Sequence, residues 1–264
     1  MVDHGVDGKM RLSINSLLVI SSCLLGISTA TQSEERLTIY IEEFPPYNYT
    51  EGESKVGINT DIVRLICFAS KIQCTFVSAP WNRAFQNTLN GVNTGLISTS
   101  RNDERENQFQ WVGPLVYATT YLYKLSSRDD IHVSSLEEAL KYSVGVPRND
   151  IYEKVLIDKG FRKGHNLLGF SYKEDTDDVF FKGKLDLILA SDITLPYQLH
   201  KSNHPSWSVE KVLQLPLPEL KGNYLALNKN VDRSIVATLQ SKLDELLTEN
   251  RKQNIINKYI EQIK

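Results

Sequence analysis

From Leu37 onward the chain alternates short β-type runs with amphipathic segments of helical period, and this alternation confines it to an α/β architecture. Residues 37–41 read as a strand. Residues 59–70 read as a helix with Ile62, Val63, Leu65, Ile66 and Ala69 on its apolar side. A strand over 74–77, a helix over 82–89 and a strand over 95–99 complete a β-α-β-α-β unit. Past Trp111 the chain runs extended through 117–125 and restarts. Ser134 and Glu137 form a capping box for a helix over 136–141. A strand over 143–146 leads to a helix over 151–159 closed by Gly160. A run over 168–171, a helix over 177–181 and a buried strand over 185–190 follow. Asp192 is expected to cap a helix over 193–200. A last strand over 224–227 precedes helices over 232–249 and 253–263. Two α/β units joined by extended crossings predict two lobes with a cleft between them, lined by strand ends and helix N-termini.

The first thirty residues stand apart from this pattern. After Met10-Arg11 the stretch 12–27 is apolar except for serines and one Asn, and it ends in Ser28-Thr29-Ala30. That is the form of a secretory signal peptide cleaved after Ala30, with Met10 as an alternative start. It is shorter than the roughly 20 apolar residues a membrane-spanning helix needs. Ile20-Ser21-Ser22-Cys23 also fits a lipobox, but the chain continues apolar through Leu24-Leu25-Gly26-Ile27, where a lipid-anchored protein turns polar. Once the signal is removed, Cys67 and Cys74 are the only cysteines. In an exported protein such a pair invites a disulfide, and two buried free thiols are the alternative.

Thirty Lys and Arg against 32 Asp and Glu, with no basic block, give no footprint for nucleic acid. There is no phosphate-binding loop, Gly-x-Ser-x-Gly, His-Glu-x-x-His or Cys-x-x-Cys. His200-x3-His204 has metal-like spacing, but Pro205 follows and no third ligand lies near, so neither a metal nor a cofactor is expected.

Three segments carry a resemblance. Phe44-Pro45-Pro46-Tyr47 is followed by Gly57-Ile58-Asn59-Thr60-Asp61-Ile62. Cys67-x6-Cys74-Thr75-Phe76-Val77 is followed by Trp81. Ile97-Ser98-Thr99-Ser100-Arg101 runs through Arg105 to Phe109 and Gly113-Pro114. Together they resemble the periplasmic solute-binding proteins of the polar amino-acid type, family 3, over nearly all of the chain beyond the signal. The resemblance implies the two-lobed periplasmic binding protein type 2 fold, each lobe a mixed sheet flanked by helices. Lobe 1 is then 37–119 with 224–264, and lobe 2 is 120–223. The cysteine segment is similar to that of basic amino-acid binders, and it implies a Cys67–Cys74 disulfide.

The same resemblance assigns the cleft. Arg105 would grip a ligand carboxylate, a task suited to the planar guanidinium fork; read alone, it is one solvated charge in a charged run. Ser98 and Ser100 would offer hydrogen bonds, although Ser beside Asn and Asp is also ordinary turn chemistry. Phe44 and Trp81 would sandwich the ligand side chain, with Tyr47 in the core. Glu42 and Glu43 would draw in a cation or simply end a strand. Arg148-Asn149-Asp150 stands where the family presents a Gly-Thr-Thr turn, so Asp150 faces the ligand from lobe 2. The family's ammonium-binding acid falls by spacing at Ser191, and the acid present is Asp192, one place later. The expected function is capture of a small polar solute, an amino acid or related carboxylate, by hinge closure. Delivery would be to a membrane permease, with the protein a periplasmic monomer and not an enzyme. The alternatives are a sensor read by a membrane receptor, and a dehydratase with Glu42, Asp150 or Asp192 as acid or base.

Overall fold

The computed structural model describes residues 35–171, 173–215 and 222–261, so the signal segment, with Cys23 and the cleavage after Ala30, lies outside the described residues. The first half comprises β1 (Arg36–Ile41), the hairpin β2 (Tyr49–Glu51) and β3 (Ser54–Val56), α1 (Ile58–Ala69) and β4 (Gln73–Ser78). It continues through α2 (Trp81–Asn90), β5 (Thr94–Thr99), α3 (Asp103–Glu106) and β6 (Phe109–Tyr117). The chain then enters β7 (Thr120–Leu125), α4 (Leu136–Ala139), β8 (Val144–Pro147), α5 (Ile151–Asp158) and β9 (Leu167–Phe170). After α6 (Lys173–Phe181), β10 (Leu187–Ser191), α7 (Thr194–Lys201) and β11 (Val209–Gln214) it returns as β12 (Gly222–Asn228), α8 (Arg233–Leu246) and α9 (Glu249–Glu261).

Two five-stranded mixed sheets result, ordered β4-β1-β5-β12-β6 and β11-β7-β10-β8-β9. In the first, β4, β1 and β5 are parallel and β12 runs antiparallel between β5 and β6. The second sheet is thus inserted in sequence between two strands of the first. Each has its own core. Ile58, Ile62, Val63 and Ile66 of α1 recur at helical spacing and are fully buried against the first sheet, each burial worth about 1.5–3 kcal/mol. The second sheet is packed by Leu122, Val144, Phe161 and Leu187 on one side and by Tyr123, Phe180 and Ile188 on the other.

Three local expectations shift. The capping box slides by one residue: Ser135 Oγ accepts from Glu138 N, and the Glu138 carboxylate accepts from Ser134 N and Oγ. Ser134-Ser135 and Glu137-Glu138 supply two overlapping boxes, and packing selects the second. Asp192 does not cap α7; Ser191 Oγ accepts from Thr194 N at 3.0 Å instead. Helix α6 begins at Lys173, ahead of the expected 177.

The Cys67–Cys74 disulfide joins α1 to β4 across a Cα separation of 6.1 Å. Closing so short a loop restricts the unfolded chain by about 2–3 kcal/mol. The double variant Cys67→Ser/Cys74→Ser is expected to lose that much in equilibrium urea unfolding. A midpoint equal to wild type would show the bond to be energetically idle.

Candidate functional site

The C-terminal ends of parallel strands from both sheets converge on one cavity of about 660 Å³. Glu42 follows β1, Ala79 follows β4 and Ser100 follows β5, while Arg148 follows β8 and Ser191 ends β10. The first turns of α2, α5 and α7 also border it. This is the crevice where α/β sheets bind small molecules, and its volume suits one.

Arg105 sits on α3, whose N-cap Asn102 accepts from Arg105 N at 3.0 Å. Its guanidinium carbon lies 5.1 Å from the centre of the Trp81 ring and 5.6 Å from that of Phe85. Nη1 donates to Ser100 O at 3.3 Å. Among the described residues the guanidinium forms no ion pair, so most of its five N–H groups remain for a planar acceptor. Burial pushes its pKa below the ordinary arginine value, against the opposing fields of Asp150, Glu104 and Glu42. A bound carboxylate would reverse that bias.

Phe44 and Trp81 both line the cavity, with Phe44 packed 5.0 Å from Tyr47 and Trp81 5.8 Å from Phe85. Tyr47 belongs to the first core as expected, yet it also reaches the cavity, where its hydroxyl lies 3.4 Å from Ser191 Oγ of the second sheet. Burial pushes that phenol's pKa upward, so it stays neutral. A second tie between the sheets is the ion pair of Lys154 on α5 with Glu104 on α3.

Ser98 lines the cavity with a left-handed backbone, φ 57°. Its hydroxyl accepts from Asn59 Nδ2 at 2.8 Å and donates to Asn48 Oδ1, so it holds the turn after β1 against α1. Removing it strands two buried polar partners, each costing about 1–3 kcal/mol. Ser98→Ala is therefore expected to lower the thermal midpoint clearly while ligand affinity changes little. A large affinity loss at unchanged stability would instead make the hydroxyl a ligand contact. Ser100 lines the cavity and contributes its carbonyl to Arg105.

On the opposite wall Asp150 lines the cavity and caps α5 by accepting from Tyr152 N at 2.8 Å. Asn149 N donates to Glu153 Oε2 at 2.9 Å. The chain's own carboxylates thus meet amides that a helix N-terminus otherwise offers to an anion. Burial pushes the Tyr152 phenol up to about 12. Asp192 does not line the cavity: it is exposed, and its carboxylate accepts from Thr119 N at 3.3 Å, tying β10 to the crossing. Successive residues at the strand end point to opposite sides, so Ser191 faces in and Asp192 out.

Sequence reasoning passed over Thr176 and Asp177 of α6 and Gln198 of α7, which line the cavity and are buried. The signal was the face they share: Thr176 and Asp177 lie at i−4 and i−3 from the fully buried Phe180. Among the described residues four carboxylates, Glu42, Glu43, Asp150 and Asp177, and two guanidiniums, Arg105 and Arg148, line the cavity. Partial loss of hydration raises the Glu43 pKa, but hydrogen bonds from Thr50 and Ser78 outweigh that and lower it. Among the described residues no group of three or more His, Cys, Asp or Glu could hold a metal ion, and His204 stacks on Phe181 at 4.0 Å.

The family model of the bacterial extracellular solute-binding proteins, family 3, matches residues 37–262. No curated relative matches by sequence. Among solved structures, a histidine kinase sensor domain similar to periplasmic binding proteins superposes with a TM-score of 0.72 at 18% identity, covering 86% of this chain and 97% of its own. An ancestral arginine-binding protein bound to arginine gives 0.67 at 20% identity, covering 85% and 97%. A Salmonella typhimurium periplasmic binding protein with high arginine specificity gives 0.68 at 12%, covering 86% and 99%.

Proposed function

The chain belongs to the bacterial extracellular solute-binding proteins, family 3, and from that premise we propose that it captures a small carboxylate solute of amino-acid type between its lobes. One observation carries the reading: a half-buried guanidinium, lying over aromatic rings and without an ion pair among the described residues, faces a cavity walled by both sheets. Arg105 takes the carboxylate bidentately, Trp81 and Phe44 take the remainder of the solute on their faces, and Ser100 and Asp150 border it. Lobe 1 comprises 37–119 with 224–264 and lobe 2 comprises 120–223, hinged at 119–121 and 222–223. Contacts to both lobes exist together only when they close, so the solute shifts the population toward the closed form.

On this reading the chain is exported by a signal cleaved after Ala30, acts in the periplasm as a monomer, and hands its cargo to an ABC permease. No bond is made or broken. The resemblance of fold to a histidine kinase sensor domain supports a second reading of the partner, a membrane receptor that detects closure. Affinity in the micromolar range, about −8 kcal/mol, suffices for either.

A thermal-shift panel of amino acids tests the reading, because a ligand that binds only the folded state raises the midpoint. At least one α-amino acid is expected to shift the wild type and to leave Arg105→Ala unshifted. If none shifts the wild type, the amino-acid reading fails. Crosslinking and affinity capture from membranes separate a permease partner from a receptor.

A further inference from the structure

We propose that Thr176, Asp177 and Gln198 form a cation-reading end of the cavity, which selects carboxylate solutes bearing a second, remote protonated nitrogen. This rests on the reading of the cavity as a solute site and specifies the class of solute.

The three side chains line the cavity and are 5%, 7% and 6% exposed. Gln198 Nε2 donates to Asp177 Oδ1 at 3.2 Å. A carboxylate only accepts, so the amide must turn its NH2 toward Asp177, and this fixes which way Oε1 points. Gln198 Oε1 and Thr176 Oγ1 are buried and have no hydrogen-bond partner. Buried polar atoms are almost always satisfied, and two orphans beside a buried carboxylate in one cavity call for a partner rich in N–H groups. An ammonium supplies three donors and a guanidinium five; an apolar or acidic side chain supplies none that would serve here.

The fold presses this group against the cavity wall. A Cβ at Gly145 of β8 would come within 2.6 Å of Thr176 Cγ2, so glycine there lets α6 approach the sheet. Helix α6 thereby sets an acid and a hydroxyl on its inward side, beside Phe180. Among the described residues four carboxylates and two guanidiniums line the cavity, and Arg148 Nε donates to Gly169 O at 3.1 Å. A basic solute sets its carboxylate on Arg105 and its remote nitrogen beside Asp177, where it donates to the orphaned Gln198 Oε1 and Thr176 Oγ1.

Isothermal titration calorimetry on the exported protein, with L-arginine, L-lysine, L-leucine and L-glutamate as probes, tests this. L-Arginine or L-lysine is expected to bind at least about 30-fold more tightly than L-leucine and L-glutamate. Asp177→Asn and Gln198→Leu are expected to weaken the basic probe by about tenfold or more and to narrow its advantage over L-leucine. Thr176→Val, nearly isosteric, checks the effect if either variant unfolds. The inference is overturned if neither basic probe binds, if L-leucine or L-glutamate binds as tightly, or if folded Asp177→Asn keeps wild-type affinity and ranking. Loss of binding in Arg105→Ala beside full retention in Asp177→Asn breaks this inference and keeps the carboxylate clamp. The reverse pattern supports the cation end and breaks the clamp.

Discussion

Replacing Arg105 with alanine is expected to weaken solute capture by roughly 30- to 5,000-fold, the equivalent of about 2–5 kcal/mol for truncating one partner of a buried charge pair. The expectation follows from how the side chain is held. Two aromatic rings at 5.1 and 5.6 Å and the Ser100 carbonyl at 3.3 Å fix the guanidinium plane, so little of its freedom is lost when a carboxylate docks. The folded state should lose little in return. Those contacts contribute about 0.5–2 kcal/mol, and removing a desolvated cation offsets part of this loss. Arg105→Lys keeps the charge without the fork and should fall between the two. Calorimetric titration beside thermal unfolding separates the effects: equal affinity in wild type and alanine variant would remove Arg105 from the site.

The largest stability loss from a single methyl group is expected at Gly57. This residue is the N-cap of α1 with φ 123°, a region that side-chain-bearing residues essentially avoid. A Cβ there would stand 2.4 Å from the Tyr47 carbonyl oxygen and 2.7 Å from Asn48 Cα, both backbone atoms. That oxygen also accepts from Asn59 N at 2.8 Å, so the turn carrying Phe44 and Tyr47 cannot withdraw freely. Backbone strain and overpacking together cost about 2–6 kcal/mol in Gly57→Ala, a large share of the roughly 5–15 kcal/mol that holds a typical domain together. Gly52→Ala is the matched control. Its φ of 59° is also positive, but a Cβ there meets nothing within 4 Å, so it should cost only about 1–2 kcal/mol. Similar urea midpoints for the two variants would show that the Tyr47 turn yields.

The parallel strands and their helices were legible because each buries an apolar stripe with its own period, as Leu37, Ile39 and Ile41 do in β1 and Ile62 and Ile66 do in α1. The hairpin β2–β3 escaped because it is short and lies at the surface. Strand β11 escaped because it is an edge, with exposed Glu210 and Lys211 interrupting its apolar residues. Of the expected site residues, Arg105, Trp81, Phe44 and Asp150, named from residue chemistry and the family pattern, line one cavity. The use made of each hydroxyl and acid was not. Ser98 spends its hydroxyl on Asn48 and Asn59, far away in sequence. Asp192 and Ser191 exchange roles because a strand end turns neighbours to opposite sides. Asp177 was hidden because a helical face with an acid on it looks solvated until the opposing helix is in place.

Small-angle X-ray scattering with and without a saturating solute from the thermal-shift panel tests whether the solute is held between lobes that close on it. A smaller radius of gyration in the wild type on adding solute, and no change in Arg105→Ala, is the result predicted. Identical scattering with and without a solute that demonstrably binds would contradict capture by closure.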